Sequence, residues 1–284
     1  MNAFIKWFKI IRPQTLFAAL CPVVAGLLIA AKDRGLDGIV AVVTVLSALS
    51  LQVFCNLVND YYDFVRGADK KGRQGNARAL AEGTVGLKEI RRAIFITLAF
   101  VLLTGAFLIF KGGFPIVLIG ISSILFGYLY TATSHSLAYL GIADLFVFVY
   151  FGLLAVGGTV YLQTGCFSAQ SLLTGAVCGS ISTCVLIINN IRDRADDKAV
   201  NKKTFVVRFG LKAGYGEMLF FILLALTCTI CCYSLSWNSL MLLPLAALFV
   251  STLKSDGSQY NRCLLFAGLN NLIFVILTAM TLFM

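Results

Sequence analysis

Nine runs of apolar residues, each about long enough to cross a bilayer, divide the chain. They fall at approximately 14–31, 38–57, 93–110, 114–131, 142–162, 170–190, 216–235, 237–253 and 263–283. Such runs leave a chain of 284 residues few folds other than a bundle of membrane-crossing helices, because backbone polar groups in lipid must be satisfied within each segment. The charge content agrees: 13% of residues are charged, about half the usual share of a soluble domain. The first run leads straight into the second, so it reads as a retained anchor rather than a cleaved leader. The expected architecture is all-α and polytopic, a single transmembrane domain over 1–284.

The net charge of +10 is explained by topology. With alternating spans, 20 of the 23 basic residues fall on the N-terminal side and three, Lys32, Arg34 and Lys111, on the other. The basic side is cytoplasmic. This predicts a cytoplasmic N-terminus, an exterior C-terminus and an odd number of spans. Most basic residues lie in two long loops, after spans 2 and 6. No separate basic domain is present, which argues against nucleic-acid binding. The nine cysteines lie mostly in apolar runs, where cysteine behaves as a small hydrophobe. The lone His135 sits in a loop, which leaves no basis for a histidine metal centre.

Each long loop is introduced by acids and amides. NLVNDYYDF (56–64) carries Asn56, Asn59, Asp60 and Asp63; NNIRDRADD (189–197) carries Asn189, Asn190, Asp193, Asp196 and Asp197. Asn56, Asp60 and Asp63 have the spacing N-x-x-x-D-x-x-D, and Asn189, Asp193 and Asp196 repeat it; Asp197 adds a D-x-x-x-D reading. Each motif ends the second span of a four-span block (1–4 and 5–8), which predicts an internal duplication. Positions i, i+4 and i+7 share one helical face. Two such stripes facing inward would gather at least four carboxylates, an arrangement that repels itself unless cations are present. Hard oxygen ligands select magnesium, calcium or manganese, and magnesium is completed by substrate phosphates. Arg73 and Arg78 follow the first motif, and Lys202, Lys203 and Arg208 the second, as partners for phosphate oxygens. Arg91, Arg92 and Lys212 are assigned to topology alone. The arrangement suits an amphiphile with a diphosphate head and an apolar tail; an allylic diphosphate could ionise there, and an electron-rich ring capture the cation.

NDYYD (59–63) and DRADD (193–197) resemble the two aspartate-rich motifs of the UbiA superfamily of intramembrane aromatic prenyltransferases. The likeness covers essentially the whole chain and is closest to the branch that prenylates 1,4-dihydroxy-2-naphthoate. Four stretches carry it: 12–26, 56–69, 137–152 and 189–210. The resemblance implies a polyprenyl diphosphate donor, an aromatic acceptor that loses its carboxylate to give demethylmenaquinone, a Mg2+ cofactor and a bacterial inner membrane. It places Asn56, Asn59, Asp60 and Asp63 on a first magnesium and the diphosphate, and Asp193 and Asp197, with Asp196 beside them, on a second. It lines the same pocket with Asn189, Asn190 and Arg192, and sets Arg78, Lys202 and Lys203 on diphosphate oxygens.

The chain departs from the superfamily at two points. Gly67 stands where many members have a further aspartate, as in the naphthoate branch, and Tyr130 is followed four residues later by Ser134 rather than lysine. This leaves a ring-binding role for Tyr128 or Tyr130 open. Asp144 is read as the one acid well inside an apolar run, either facing the pocket or capping its helix. Other acceptors (4-hydroxybenzoate, homogentisate, tetrapyrroles), a cation-coupled transporter and a non-catalytic prenyl-lipid carrier are the rival readings.

Overall fold

The computed structural model describes residues 7, 10–67, 80, 82–130 and 141–284. Nine apolar helical segments correspond to the nine runs among these residues, eight of them long enough to cross a membrane. The protein is therefore an integral, multi-pass membrane protein. In chain order the first four are α1 (Pro13–Asp33), α2 (Gly38–Val65), α3 (Leu87–Gly112) and α4 (Phe114–Leu129). The fifth span, α5 (Ala143–Thr164), is broken by a π-helical stretch at Val149–Leu154. α6 (Ala169–Arg192) is followed by two short helices, α7 (Arg194–Ala199) and α8 (Phe205–Phe209). The last three spans are α9 (Leu211–Tyr233), α10 (Trp237–Lys254, opening with a 3-10 turn) and α11 (Tyr260–Phe283).

Two helices exceed their apolar runs for local reasons. α2 continues eight residues beyond the expected end at 57, so the whole first motif is helical. Its other end is capped by Asp37, which accepts from Ile39 and Val40 N–H at 3.0 and 3.1 Å. The Val40 N–H in particular holds that carboxyl below the usual carboxylate range. α3 begins six residues before its run, in the charged stretch Lys88–Arg92. Glu89 accepts from Gly86 N–H at 2.9 Å and fixes that start. α3 and α4 are joined at Gly113, whose φ 65, ψ −150 is open almost only to glycine.

In the first block the second and third spans, α2 and α3, form the main packed pair; in the second, α6 packs most extensively against α5 and next against α9. The blocks are not equally enclosed. Of the α6 span 78% is buried, against 17% for α2 and for α3. The reason lies in the sequence of α6, where Thr174, Gly175, Gly179, Ser180, Ser182 and Thr183 let neighbouring backbones approach. The tightest crossing is with the π-helical stretch. A Cβ built on Gly152 would meet Gly175 O at 2.3 Å, and one on Gly179 would meet Phe148 O at 2.4 Å. The main apolar core surrounds α6 and is filled by α1, α5, α9, α10 and α11.

Candidate functional site

α2 and α6 both end in acid–amide motifs, but the motifs are built differently. The first lies in the last turns of α2. Asp60 is 3% exposed, Asn56 6%, and Asp63 is half-buried. Asn56 bridges helices: its Nδ2 donates to Ile11 O at 3.0 Å and Thr15 Oγ1 at 2.9 Å, and its Oδ1 accepts from Gln52 Nε2 at 3.2 Å. Asp60 accepts from the guanidinium of Arg12. Arg12 caps α1 in the left-handed region (φ 55, ψ 71), a conformation disfavoured for a residue with a Cβ. It is held there by Thr15, whose N–H and Oγ1 both donate to Arg12 O, at 2.8 and 2.9 Å.

The second motif does not form the single helical stripe that its spacing predicts. α6 stops at Arg192, and Asp193 joins it to α7 with φ −89, ψ 6. The break shifts the helical phase. Asp193 and Asp197 are buried at 5% and 0%, while Asp196 is exposed. The inward pair is thus the D-x-x-x-D pair, and Asp196 faces away from it. Arg192 closes the first half as a fork: Nε and Nη2 donate to the two Asp193 oxygens at 2.6 and 2.9 Å. Its Nη2 also donates to Asn189 Oδ1 at 2.7 Å, and Nη1 to Asn261 Oδ1 at 2.8 Å, tying the motif to the start of α11. Lys202 Nζ lies 3.4 Å from Asp197 Oδ1.

Beside the second motif, at Asn190, lies a polar cavity of about 10 Å³, room for one water. Its lining includes Tyr130, Asp144, Asn190, Lys202 and Thr204. Asp144, in the first turn of α5, is 5% exposed and accepts from Asn190 Nδ2 at 3.4 Å. Tyr130, just past α4, feels the negative charge of Asp144, Asp63 and Asp197 together. One phenol thus lies within electrostatic reach of a carboxylate from each motif.

Other expected residues are placed less centrally. Tyr128 is 41% exposed and joins its hydroxyl to that of Tyr62 at 2.6 Å, beside the first motif. Lys203 is exposed, and its contribution is a backbone carbonyl that accepts from Arg208 Nε at 3.1 Å. Asp69, Arg73, Arg78, Ser134 and His135 lie outside the described residues.

Arg12, Thr15, Gln52, Asn261 and Glu217 escaped the sequence reading. Charge bias alone counts Arg12 among the residues that set topology, although it opens the 12–26 stretch that carries the family resemblance. Glu217 corrects the statement that Asp144 is the one intramembrane acid. It lies inside α9, within electrostatic reach of Asp144, and its Oε2 is buried without a hydrogen-bond partner. Its signal was available, but it sat at the soft edge of the seventh run.

The donor set fits a hard dication. It consists of carboxylate and amide oxygens, among them Asn59 Oδ1, buried with no hydrogen-bond partner. Among the described residues no three acids or other ligating side chains gather closely enough to hold a metal alone. The four carboxylates expected to gather therefore do not form one group among the described residues. Meanwhile Arg12, Arg192 and Lys202 offset the acids' mutual repulsion.

An all-helical membrane bundle in which two spans end in acid–amide motifs defines the class of protein to which this chain is to be compared. The chain belongs to the UbiA prenyltransferase family, which it matches over residues 19–282. A 1,4-dihydroxy-2-naphthoate octaprenyltransferase of Escherichia coli is 35% identical over 210 residues, 72% of this chain and 68% of that one. A 2-carboxy-1,4-naphthoquinone phytyltransferase of Synechocystis is 27% identical, covering 90% of this chain and 84% of that one. A UbiA homologue from Archaeoglobus fulgidus, solved bound to GPP and Mg2+, shares the fold with a TM-score of 0.69 and 16% identity, covering 98% and 99% of the two chains.

Proposed function

We propose that the protein transfers a polyprenyl group from a polyprenyl diphosphate to 1,4-dihydroxy-2-naphthoate, with loss of diphosphate and of the ring carboxylate. The product is the prenylated naphthalenediol whose oxidised form is demethylmenaquinone. The observation that carries this reading is the pair of acid–amide motifs at the ends of α2 and α6, with their carboxylates Asp60, Asp193 and Asp197 buried. The likeness to naphthoate octaprenyltransferases supports the choice of acceptor.

The roles follow from charge and position. Asp60, Asp63, Asp193 and Asp197, with the Asn56 and Asn59 amides, are the groups that would hold Mg2+. When bound, Mg2+ supplies positive charge to the departing diphosphate. Lys202 binds a diphosphate oxygen, and Arg192 positions Asn189 and Asp193. The allylic C–O bond breaks with its electron pair leaving on the diphosphate. The ring carbon bearing the carboxylate then attacks the cation, and CO2 departs to restore aromaticity. The apolar spans keep water from the cation. Asn190 and Asp144 offer polar contacts for the acceptor's oxygens at the cavity. The motifs lie on the cytoplasmic side, following the charge bias of the loops.

The test uses the purified protein in detergent with Mg2+, a labelled prenyl diphosphate and a panel of ring acceptors. A Mg2+-dependent product with 1,4-dihydroxy-2-naphthoate, exceeding those with 4-hydroxybenzoate or homogentisate, is expected. Product formation unaffected by chelation, or confined to another ring, would overturn the assignment.

A further inference from the structure

The cytoplasmic end of α3 carries cations that the site above does not use. Lys88, Arg91, Arg92, Phe95 and Ile96 line a shallow groove of about 340 Å³. Their spacing, i, i+3, i+4, i+7 and i+8, is that of one helical face. All five are exposed, Phe95 at 65% and Ile96 at 63%. None of the three cations pairs with an acid among the described residues. Below Ile96 the same face continues through Ala99, Leu103 (70% exposed) and Phe110 (86%), an unbroken apolar strip on the bundle's outside.

This order of chemistry along one face has one natural complement. Three positive groups stand about 5 to 10 Å above the first apolar residue, Phe95, by the rise of a helix. In an anionic phospholipid the phosphate stands above the acyl chains in the same sense. Basic residues at this depth attract anionic lipid at about 1 kcal/mol each. An anionic headgroup alone would use the cations and leave Phe95 and Ile96 uncovered; a neutral lipid would do the reverse. We propose that this face of α3 is a binding site for one anionic phospholipid of the cytoplasmic leaflet. Lys88, Arg91 and Arg92 hold its phosphate, and Phe95 and Ile96 seat the upper part of an acyl chain.

Native mass spectrometry of the full chain in mild detergent tests this, with phosphatidylglycerol and phosphatidylcholine as competing probes. Wild type is expected to retain one phosphatidylglycerol with a preference of about tenfold or more, given three cations. Combined Lys88→Gln, Arg91→Gln and Arg92→Gln should reduce the preference to near unity. A charge-matched control, Lys212→Gln, Lys254→Gln and Arg262→Gln, should keep the wild-type preference; equal loss there means diffuse attraction and overturns the site. Arg91→Lys with Arg92→Lys should retain binding, which separates loss of charge from misfolding. Inorganic phosphate at millimolar concentration should not displace the lipid. Displacement by phosphate, or no preference in wild type, would also overturn the proposal.

Discussion

Arg12 and Asp60, 48 positions apart, form an ion pair that joins the start of α1 to the end of α2. Both side chains are largely buried, at 13% and 5% exposure. Arg12 reaches its partner from a left-handed backbone conformation, so the pair is held at a local cost. Removing one member of a buried pair leaves an uncompensated charge, a loss of about 3–5 kcal/mol. Arg12→Ala is therefore expected to lower the thermal midpoint in detergent markedly. Adding Asp60→Asn should cost less than the sum of the single changes. Additive losses would show that the two groups do not interact.

Asp60→Ala and Asp193→Ala remove one carboxylate from each motif. Each should reduce turnover at saturating Mg2+ by at least about 100-fold, as is usual when a charge-stabilising group is lost. Both variants should still insert, each with a lowered thermal midpoint because its arginine loses a buried partner. Near-normal activity in either variant would remove that motif from the site.

The adjacent lysines are separated by the structure. Lys202 lines the cavity 3.4 Å from Asp197, whereas Lys203 is exposed. Lys202→Ala should raise the KM for prenyl diphosphate by about tenfold, the value of a charge-assisted contact. Lys203→Ala should change it less than twofold. Initial-rate kinetics with the donor varied distinguish the two, and equal effects would contradict the assignment.

A similar split is expected for Asp196 and Asp197. Asp197 is fully buried and Asp196 is exposed, so Asp197→Asn should cost far more activity than Asp196→Asn. Mg2+ titrations of the two variants check this, and the reverse order would restore the unbroken stripe read from spacing.

The crossing of α5 and α6 should tolerate no side chain. Gly179→Ala would set a methyl 2.4 Å from Phe148 O, and overpacking of this kind costs about 1–3 kcal/mol. Gly105→Ala on α3 has nothing within 4 Å and serves as the neutral control. Thermal midpoints of the pair give the comparison; a Gly179→Ala protein as stable as the control would show that the helices can part.

The spans were legible because hydrophobic length is a one-dimensional property that lipid enforces on each segment alone. The motifs were legible because two matched spacings at equivalent places are hard to produce by chance. What stayed hidden depends on three dimensions. The turn at Asp193 is a single residue's backbone geometry, and it decides which of Asp196 and Asp197 faces inward. The role of Arg12 depends on a contact across 48 positions, and by charge alone it looked like any cytoplasmic arginine. Tyr130 was left undecided for want of a lysine four residues on, whereas its surroundings are set by Asp144, Asn190 and Lys202 from later in the chain.

α3 and α4 leave the same tight turn at Gly113 in opposite directions, with 26 and 16 residues respectively. At 1.5 Å per residue α4 stops about 15 Å short of the level where α3 begins. About 9 Å of that difference is the charged extension of α3 ahead of its apolar run, so Tyr130 is set about 6 Å, roughly one helical turn, below the level where that run begins. An early helix end thus sets the phenol near the boundary where the polar head and the apolar tail of an amphiphile would part.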